Sequence, residues 1–344
     1  MQQCYHRKGK RSDKDTVQYL DEKALMNMLH PMAFEKTILI TGGAGNIGGS
    51  LARKLATNQD WQVIVADNLG TGSISKMPSL NLPNFRFIKA DINRYDEISA
   101  IMLAHKVNFV FHYAAVVGVS RTLENPVSVL RDIDGIKNIF ELSKNTGVER
   151  VCYASSSEVY GEPVSIPQHE ETTPLNSRLP YAVVKNVGES FCKSYQKEYG
   201  LPYTIFRFFN TYGPLQSEDF VLPRFLHAAL HHKPIQVYGD GSQTRTFCYI
   251  DDNLATTVAA MSNDDTINET INIGSEEEIS VLDLAKLIIE LTNSKSSIIH
   301  LPPLAEGDMS RRFPDISKMK SILQRPPISL RDGIKKMLDQ ISHP

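Results

Sequence analysis

Residues 36–51 constrain the fold more than any other part of this 344-residue chain. They read KTILITGGAGNIGGSL, an apolar run followed by glycines at positions 42, 45 and 48. The apolar run predicts a buried strand over residues 37–41, and the glycines predict a tight turn into a helix. Gly42 allows a sharp turn, Gly45 allows backbone N–H groups to approach a phosphate, and Gly48 allows the helix to lie close to the sheet.

A second predicted strand ends in an acidic residue that suits a dinucleotide site. Residues 63–66 are apolar and lead into Asp67, nineteen residues after Gly48. A carboxylate there accepts hydrogen bonds from both ribose hydroxyls of NAD and repels the 2′-phosphate of NADP. An ordinary turn acid is the alternative interpretation. The sequence predicts NAD as the cofactor, held by the glycine turn and the strand ends: Gly42, Gly45, Asn46, Ile47, Gly48, Asp67, Asn68, Asp91, Ile92, Ala114 and Ala115.

Strand-like and helix-like runs alternate from residue 36 to about residue 209, which is typical of a parallel sheet covered on both faces. The predicted strands are 37–41, 62–66, 85–89, 108–112, 150–154 and 203–208. The predicted helices of this part are 46–58, 95–105, 126–146 and 181–199. The fold class is therefore α/β, with a doubly wound, Rossmann-type parallel sheet.

After Asn210 the alternation stops, and the rest of the chain predicts a smaller C-terminal lobe. Its expected elements are helices near 221–232 and 251–263, a strand at 270–273 and a helix capped by Ser280. We expect residues 36–209 to form the NAD-binding domain, with a segment near 249–274 returning to it. Residues 210–248 and 275–344 then form a substrate-binding lobe, and residues 1–35 are an N-terminal extension without a role in the chemistry.

The composition excludes several classes of partner. Lys and Arg total 37 against 39 Asp and Glu, so a formal net charge of −2 favours neither nucleic acid nor an anionic membrane. No apolar run approaches the roughly 20 residues that span a bilayer, and no signal-peptide pattern opens the chain. Four scattered cysteines indicate reduced thiols in a cytoplasmic protein. Histidines 227, 231 and 232 are interpreted as a polar helix face, so no metal is predicted.

A tyrosine and a lysine provide the first candidate for proton transfer. Tyr181 and Lys185 are four residues apart in a predicted helix, so both point to one face. A nearby ammonium lowers the pKa of a phenol towards the working pH, which makes Tyr181 a usable proton acceptor. Serines 155–157 follow the strand 150–154, where a hydroxyl is placed to hold the substrate hydroxyl. Taken singly, a solvated helix face and a polar turn explain these patterns equally well.

In combination, the motifs resemble a known family. The chain reads TGGAGNIG, DNLGTG, HYAA, SSSEVYG, YAVVK, RFFNTYGP, VYGDGSQTRTFCYIDD and RRFPDISK in order, between about residues 36 and 323. It resembles the extended short-chain dehydrogenases of the NAD-dependent epimerase/dehydratase family, which modify nucleotide sugars. The resemblance implies that a tightly held NAD takes hydride from C-4 of the sugar, and usually returns it. It also implies that Tyr181 is the base, that Lys185 contacts the nicotinamide ribose, and that Ser156 assists Tyr181.

The resemblance further implies a substrate site and an assembly. Asn210 and Arg245 resemble the family's contacts to the substrate diphosphate, and Arg312 resembles a second arginine reaching that site. Two cations near a diphosphate match its charge. From position and charge alone, we hypothesise that Arg121 holds the C-6 carboxylate of a uronic acid. A UDP-sugar is the expected substrate, a homodimer through helices 126–146 and 181–199 the expected assembly, and polysaccharide-precursor supply the expected purpose.

The fate of the 4-keto sugar is left open by the sequence. Glu158, with Ser157 and Arg312, resembles UDP-glucuronate decarboxylases and related dehydratases, in which a carboxylate acts next to the ketone. Ala182 and the loop 116–121 are closer to 4-epimerases. A structural role for Glu158 is a further interpretation. A dehydrogenase that releases NADH, and a catalytically inactive NAD-binding protein, are the competing classes of function.

Overall fold

A seven-stranded parallel sheet is the largest element of the computed structural model, which describes residues 34–118, 122, 124–303 and 311–342. The strands of the described residues are β1 (Lys36–Thr41), β2 (Trp61–Asp67), β3 (Phe85–Lys89), β4 (Phe109–His112), β5 (Arg150–Ser156), β6 (Tyr203–Phe208), β7 (Thr211–Tyr212), β8 (Ile235–Tyr238), β9 (Thr244–Thr246), β10 (Cys248–Tyr249), β11 (Glu269–Ile273), β12 (Glu278–Ser280) and β13 (Ile298–Leu301). The large sheet has the order β3-β2-β1-β4-β5-β6-β11.

Helices cover this sheet. Those of the described residues are α1 (Asn46–Leu55), α2 (Tyr95–Ala104), α3 (Pro126–Leu130), α4 (Asp132–Thr146), α5 (Pro180–Tyr199), α6 (Val221–Leu230), α7 (Ile250–Met261), α8 (Val281–Leu291), α9 (Ser317–Leu323) and α10 (Leu330–Ser342). Successive residues of β1 pack into different cores, because Ile38 and Ile40 join one buried cluster and Leu39 joins the other. Burial on both faces explains why these strands are continuously apolar.

The strand order reverses next to β1, which pairs with β2 on one side and with β4 on the other. In open α/β sheets the crevice at such a reversal, at the carboxyl ends of the strands, is where ligands bind. The predicted doubly wound sheet is confirmed, and the glycine turn that follows β1 lies at this point.

Three two-stranded sheets follow in the chain. β7 pairs with β10 and β8 with β13 in parallel, whereas β9 and β12 are antiparallel. Between them the chain returns to the large sheet, where β11 pairs with β6. Of the residues described, none belongs to a helix long and apolar enough to cross a membrane.

The strands of the three small sheets were not predicted, and the helix expected over residues 126–146 also differs. It is two helices, α3 and α4, separated at Arg131. The break coincides with Asp132, whose buried carboxylate accepts a hydrogen bond from the Val116 backbone N–H at 2.7 Å. The predicted extension 1–35 lies outside the described residues except for its last two positions, and so does Arg121.

Candidate active site

The glycine turn after β1 lies against the end of β4. Gly42 has a φ of 71°, in the left-handed region that glycine tolerates, and a Cβ there would lie 2.6 Å from the Cα and N atoms of Ala114. A Cβ on Gly48 would collide with the carbonyl oxygen of Gly42. Gly45 caps α1, so the first N–H groups of that helix face the crevice without a side-chain cap. This is the geometry that a pyrophosphate requires.

Asp67 lies at the carboxyl end of β2 beside this turn. Its Oδ2 accepts the Ala44 N–H at 2.9 Å, and its Oδ1 accepts the Leu69 N–H at 2.7 Å. A carboxylate has about four acceptor positions, so two remain for ribose hydroxyls. Among the described residues the Asn46 Oδ1 is buried without a hydrogen-bond partner, which leaves a further acceptor in the same cradle.

A cleft of about 760 Å³ joins this cradle to the second candidate cluster. Its walls include most of the residues predicted from the sequence: Gly42, Gly45, Asn46, Ile47, Gly48, Asp67, Asn68, Asp91, Ile92, Ala114, Ala115, Ser156, Ser157, Glu158, Tyr181, Lys185, Asn210 and Arg312. A volume of this size suits a cofactor and substrate site. Arg245 is not among these walls. Its Nη1 donates to the Thr244 carbonyl at 2.7 Å.

Tyr181 and Lys185 lie on the first two turns of α5, beside the end of β5. The Ser156 side chain acts on Tyr181 and lowers the pKa of its phenol. Lys185 Nζ lies 5.7 Å from the centre of the Tyr181 ring and donates to the Ala154 carbonyl at 2.7 Å. The helical spacing and the strand end therefore bring the phenol, the ammonium and the serine hydroxyl together.

Burial is the largest influence on the pKa values of these two groups. Burial, followed by the charge of Glu158, raises the pKa of Tyr181, whereas Ser156 and Arg312 lower it. We predicted a lowered pKa for this phenol because of Lys185, and that prediction is wrong. Desolvation raises the pKa by more than the favourable interactions lower it. Burial also lowers the pKa of Lys185 itself to about 8.

Glu158 and Arg312 form a partly buried ion pair in the same cleft. Arg312 Nη2 lies 2.7 Å from Glu158 Oε1, and the two side chains are 7% and 16% exposed. Among the described residues, Glu158 Oε2 and Arg312 Nε are buried without hydrogen-bond partners. Buried polar atoms without partners are rare, so this pair has both an acceptor and a donor available for a ligand.

Two acidic residues near this site were not predicted. Asp132 is 7% exposed, lies in the cleft wall, and carries a charge that acts on both Tyr181 and Lys185. Nothing local in the sequence indicates it, because the helix break that turns it inward is a tertiary feature. Glu189 follows Lys185 by four residues, so the same helical spacing that indicated Tyr181 and Lys185 could have identified it.

Fold and site together define a Rossmann-type NAD-dependent enzyme. Residues 38–274 match the NAD dependent epimerase/dehydratase family, and the chain belongs to that family. It is 37% identical to the UDP-N-acetyl-alpha-D-glucosaminuronate decarboxylase of Bacillus cytotoxicus, over 88% of this chain and 97% of that protein.

Solved structures agree with this assignment. The UDP-glucuronic acid 4-epimerase of Bacillus cereus, in complex with UDP-glucuronic acid and NAD, is 32% identical with a TM-score of 0.81, over 89% of this chain and 99% of that one. The UDP-glucose 4-epimerase of Thermotoga maritima with UDP-glucose is 31% identical with a TM-score of 0.83, over 89% and 98%. The predicted family, fold, enzyme class and NAD cofactor are confirmed, and the substrate is a nucleotide sugar.

Proposed function

We propose that this enzyme oxidises C-4 of a UDP-hexuronate and then removes the C-6 carboxylate as CO₂. The observation that carries the proposal is the partly buried Glu158–Arg312 pair, in the same cleft as Tyr181. The similar proteins support it, because they include decarboxylases of UDP-N-acetylglucosaminuronate and of UDP-glucuronic acid. An epimerase needs a single proton acceptor at C-4, whereas a decarboxylase also needs a group that acts at C-5.

In the first stage, Tyr181 accepts the proton of the C-4 hydroxyl while Ser156 holds that hydroxyl. NAD, when bound, supplies the acceptor for the C-4 hydride and returns it at the end, so there is no net oxidation. Lys185 would contact the nicotinamide ribose of that NAD. Because Tyr181 is buried and its pKa is raised, the bound substrate and cofactor must offset that rise before the phenol can act as a base.

In the second stage, the C-4 ketone makes the C-6 carboxylate a β-keto acid. The C-5–C-6 bond breaks, CO₂ leaves, and the bonding electron pair becomes an enolate over C-5, C-4 and O-4. A proton must then reach C-5. We assign Glu158 to relay it from water through Oε2, while Arg312 holds Oε1 and keeps the carboxylate in place. Tyr181 finally gives its proton back to O-4, at the stage where NADH would reduce C-4.

The test compares two Glu→Gln variants that each remove one charge from an arginine pair. Glu158→Gln removes the cleft carboxylate. Glu278→Gln is the matched control, because Glu278 pairs with the neighbouring Arg311 at 2.6 Å, outside the cleft walls. NMR follows UDP-glucuronate and UDP-N-acetylglucosaminuronate to their products. We expect the wild type and Glu278→Gln to yield a UDP-pentose and CO₂. For Glu158→Gln we expect the rate of CO₂ release to fall about 10²-fold. A wild type that yields only a six-carbon product would refute the proposal.

A UDP-glucuronate 4-epimerase is the second candidate. Ala182, buried next to the catalytic tyrosine, is the residue that resembles epimerases, and the Bacillus cereus relative with that activity has the same fold. The same assay separates the two, because an epimerase yields the C-4 epimer with its carboxylate retained. In that case Glu158→Gln leaves the rate of C-4 oxidation nearly unchanged.

We propose further features of the protein on the basis of its family. We assign residues 36–209, with 249–274, to NAD and residues 210–248 and 275–344 to the substrate, with Asn210 and Arg245 near its diphosphate and Arg121 near its carboxylate. We also propose a cytoplasmic homodimer that supplies precursors for polysaccharide biosynthesis. In it, α4 and α5 of two copies pack together.

A further inference from the structure

A chain of buried polar side chains begins on the catalytic helix. Glu189, two turns after Tyr181 on α5, accepts a hydrogen bond from Ser155 Oγ at 2.6 Å. Its two oxygens also accept from Arg207 Nε at 2.8 Å and from Nη2 at 2.6 Å. Glu189 and Arg207 are 1% and 2% exposed. This bidentate pair ties α5 to β5 and β6, next to Ser156.

The chain continues from Arg207 towards Glu158. Arg207 Nη1 donates to the Tyr160 hydroxyl at 2.8 Å and to the Glu170 carbonyl at 3.0 Å. Tyr160 is fully buried and closes the short 3₁₀-helix Ser157–Tyr160, which carries Glu158. Burial raises the pKa of Tyr160 to about 12, so its hydroxyl keeps the proton that it donates onward.

The last links reach the segment that carries Arg312. The Tyr160 hydroxyl donates to Asn272 Oδ1 at 2.7 Å, and Asn272 Nδ2 donates to the carbonyls of Gln168 at 2.9 Å and of Asp315 at 3.1 Å. Gln168 also pairs with the same segment through the backbone, accepting from the Asp315 N–H at 2.9 Å. Arg312 is three residues before Asp315.

We infer that the Tyr160 hydroxyl is a positioning group that sets the Glu158–Arg312 pair relative to Tyr181. It is the junction between the α5 anchor and the two segments that bring Glu158 and Arg312 into the cleft. This inference rests on the proposed function, because it assigns the pair to the second stage. Ser155 of this network lines the cleft, whereas Tyr160 and Asn272 are not among its walls, so the effect of Tyr160 on the reaction is indirect.

The Tyr160→Phe substitution separates the two stages. It removes one oxygen atom and leaves the aromatic packing against Phe209 in place. Arg207 keeps Glu189 and the Glu170 carbonyl, and Glu189 keeps Ser155, so the link between α5 and β5 stays intact. What is lost is the hydrogen bond from the Tyr160 hydroxyl to the Asn272 side chain, whereas the Asn272 backbone stays joined to Glu170 and to β6. A positioning role therefore predicts an effect on the second stage alone.

The test is a quenched single turnover of the holoenzyme with UDP-glucuronate. Mass spectrometry measures the 4-keto uronate formed in the first stage and the CO₂ released in the second. For Tyr160→Phe we expect 4-keto uronate to form within about twofold of the wild-type rate and CO₂ release to slow about tenfold, so that the keto acid accumulates. Tyr203→Phe is the matched control, because Tyr203 is also buried but lies at the other end of β6.

Asn272→Ser is a second variant, whose shorter side chain cannot donate to the Asp315 carbonyl. We expect it to raise the ratio of 4-keto uronate to CO₂, as Tyr160→Phe does. Melting temperatures establish that each protein is folded. Equal slowing of both stages, or an unchanged ratio in both variants, would overturn the inference. A wild type that releases no CO₂ would instead overturn the proposed function, together with the inference that rests on it.

Discussion

Two buried cations of the cleft, Lys185 and Arg312, have opposite electrostatic surroundings. Lys185 is 4% exposed and donates to the neutral carbonyl of Ala154. Burial lowers its pKa to about 8, although the charge of Asp132 acts in the other direction. Arg312 is 6% exposed and is paired with Glu158 at 2.7 Å. The comparison shows that burial without a carboxylate partner lowers the pKa of one cation, whereas the other is held in an ion pair.

This difference fits the two stages of the proposed reaction. Lys185 lies on the same helix as Tyr181. A lysine that titrates near neutral pH can change its protonation when Tyr181 gains or loses a proton. A guanidinium never loses its proton under these conditions, so it can hold a carboxylate throughout the cycle. Exchanging the two kinds of cation is therefore the most direct way to test the comparison.

The largest effect is expected from Lys185→Arg. A guanidinium is bulkier, cannot titrate, and would be buried against a carbonyl without a carboxylate partner. We expect C-4 oxidation to fall by at least about 10²-fold. The measurement is the single-turnover rate of 4-keto sugar formation, and a rate close to that of the wild type would show that titration of this cation is irrelevant.

A pH series with Lys185→Met measures how much burial of the ammonium lowers the free energy of unfolding. The pKa of Lys185 is 10.5 in its ordinary state and about 8 in the folded protein. Between these values the unfolded chain binds more protons, so the wild type gains stability relative to the variant as the pH rises. The gain approaches roughly 3 kcal/mol, since one pKa unit corresponds to about 1.4 kcal/mol. Urea unfolding of both proteins at the two ends of this range measures it, and a constant difference would contradict the lowered pKa.

A smaller effect is expected from Arg312→Lys, which keeps the charge but loses the planar fork. We expect about a tenfold slower CO₂ release with little change in C-4 oxidation, because the ammonium cannot hold Glu158 and a ligand in the same geometry. Arg311→Lys is the control, because the adjacent Arg311 forms a more exposed pair with Glu278, and such pairs contribute little. Equal effects of both substitutions would remove the distinction between the two arginines.

Local patterns were sufficient for much of the fold and of the first-stage site. The spacing of Gly42, Gly45 and Gly48 predicted the turn, and the apolar runs predicted the strands of the large sheet to within a few residues. The four-residue spacing of Tyr181 and Lys185 placed both side chains in the cleft. These features depend on the geometry of one helix or one strand, which nearby residues determine.

Other features exist only in the folded chain. The break between α3 and α4 escaped prediction because Asp132 is turned inward by the backbone of Val116, sixteen residues earlier. Glu158 and Arg312 were each singled out from the sequence, but their pairing across 154 residues was not. From the sequence, Lys185 was expected to lower the pKa of Tyr181, whereas burial raises it. Burial could not be predicted, because it depends on how the folded chain covers the cleft.

The amino-acid sequence by itself determined the parallel sheet, the NAD cofactor and the nucleotide-sugar family, and it indicated the side chains that we propose for proton transfer. The tertiary structure decided which charges are paired, which are buried alone, and how Glu189, Arg207, Tyr160 and Asn272 connect the two parts of the site. The physical reason is that turn and helix geometry are local properties of the chain. Desolvation and ion pairing depend on neighbours that only the folded protein brings together.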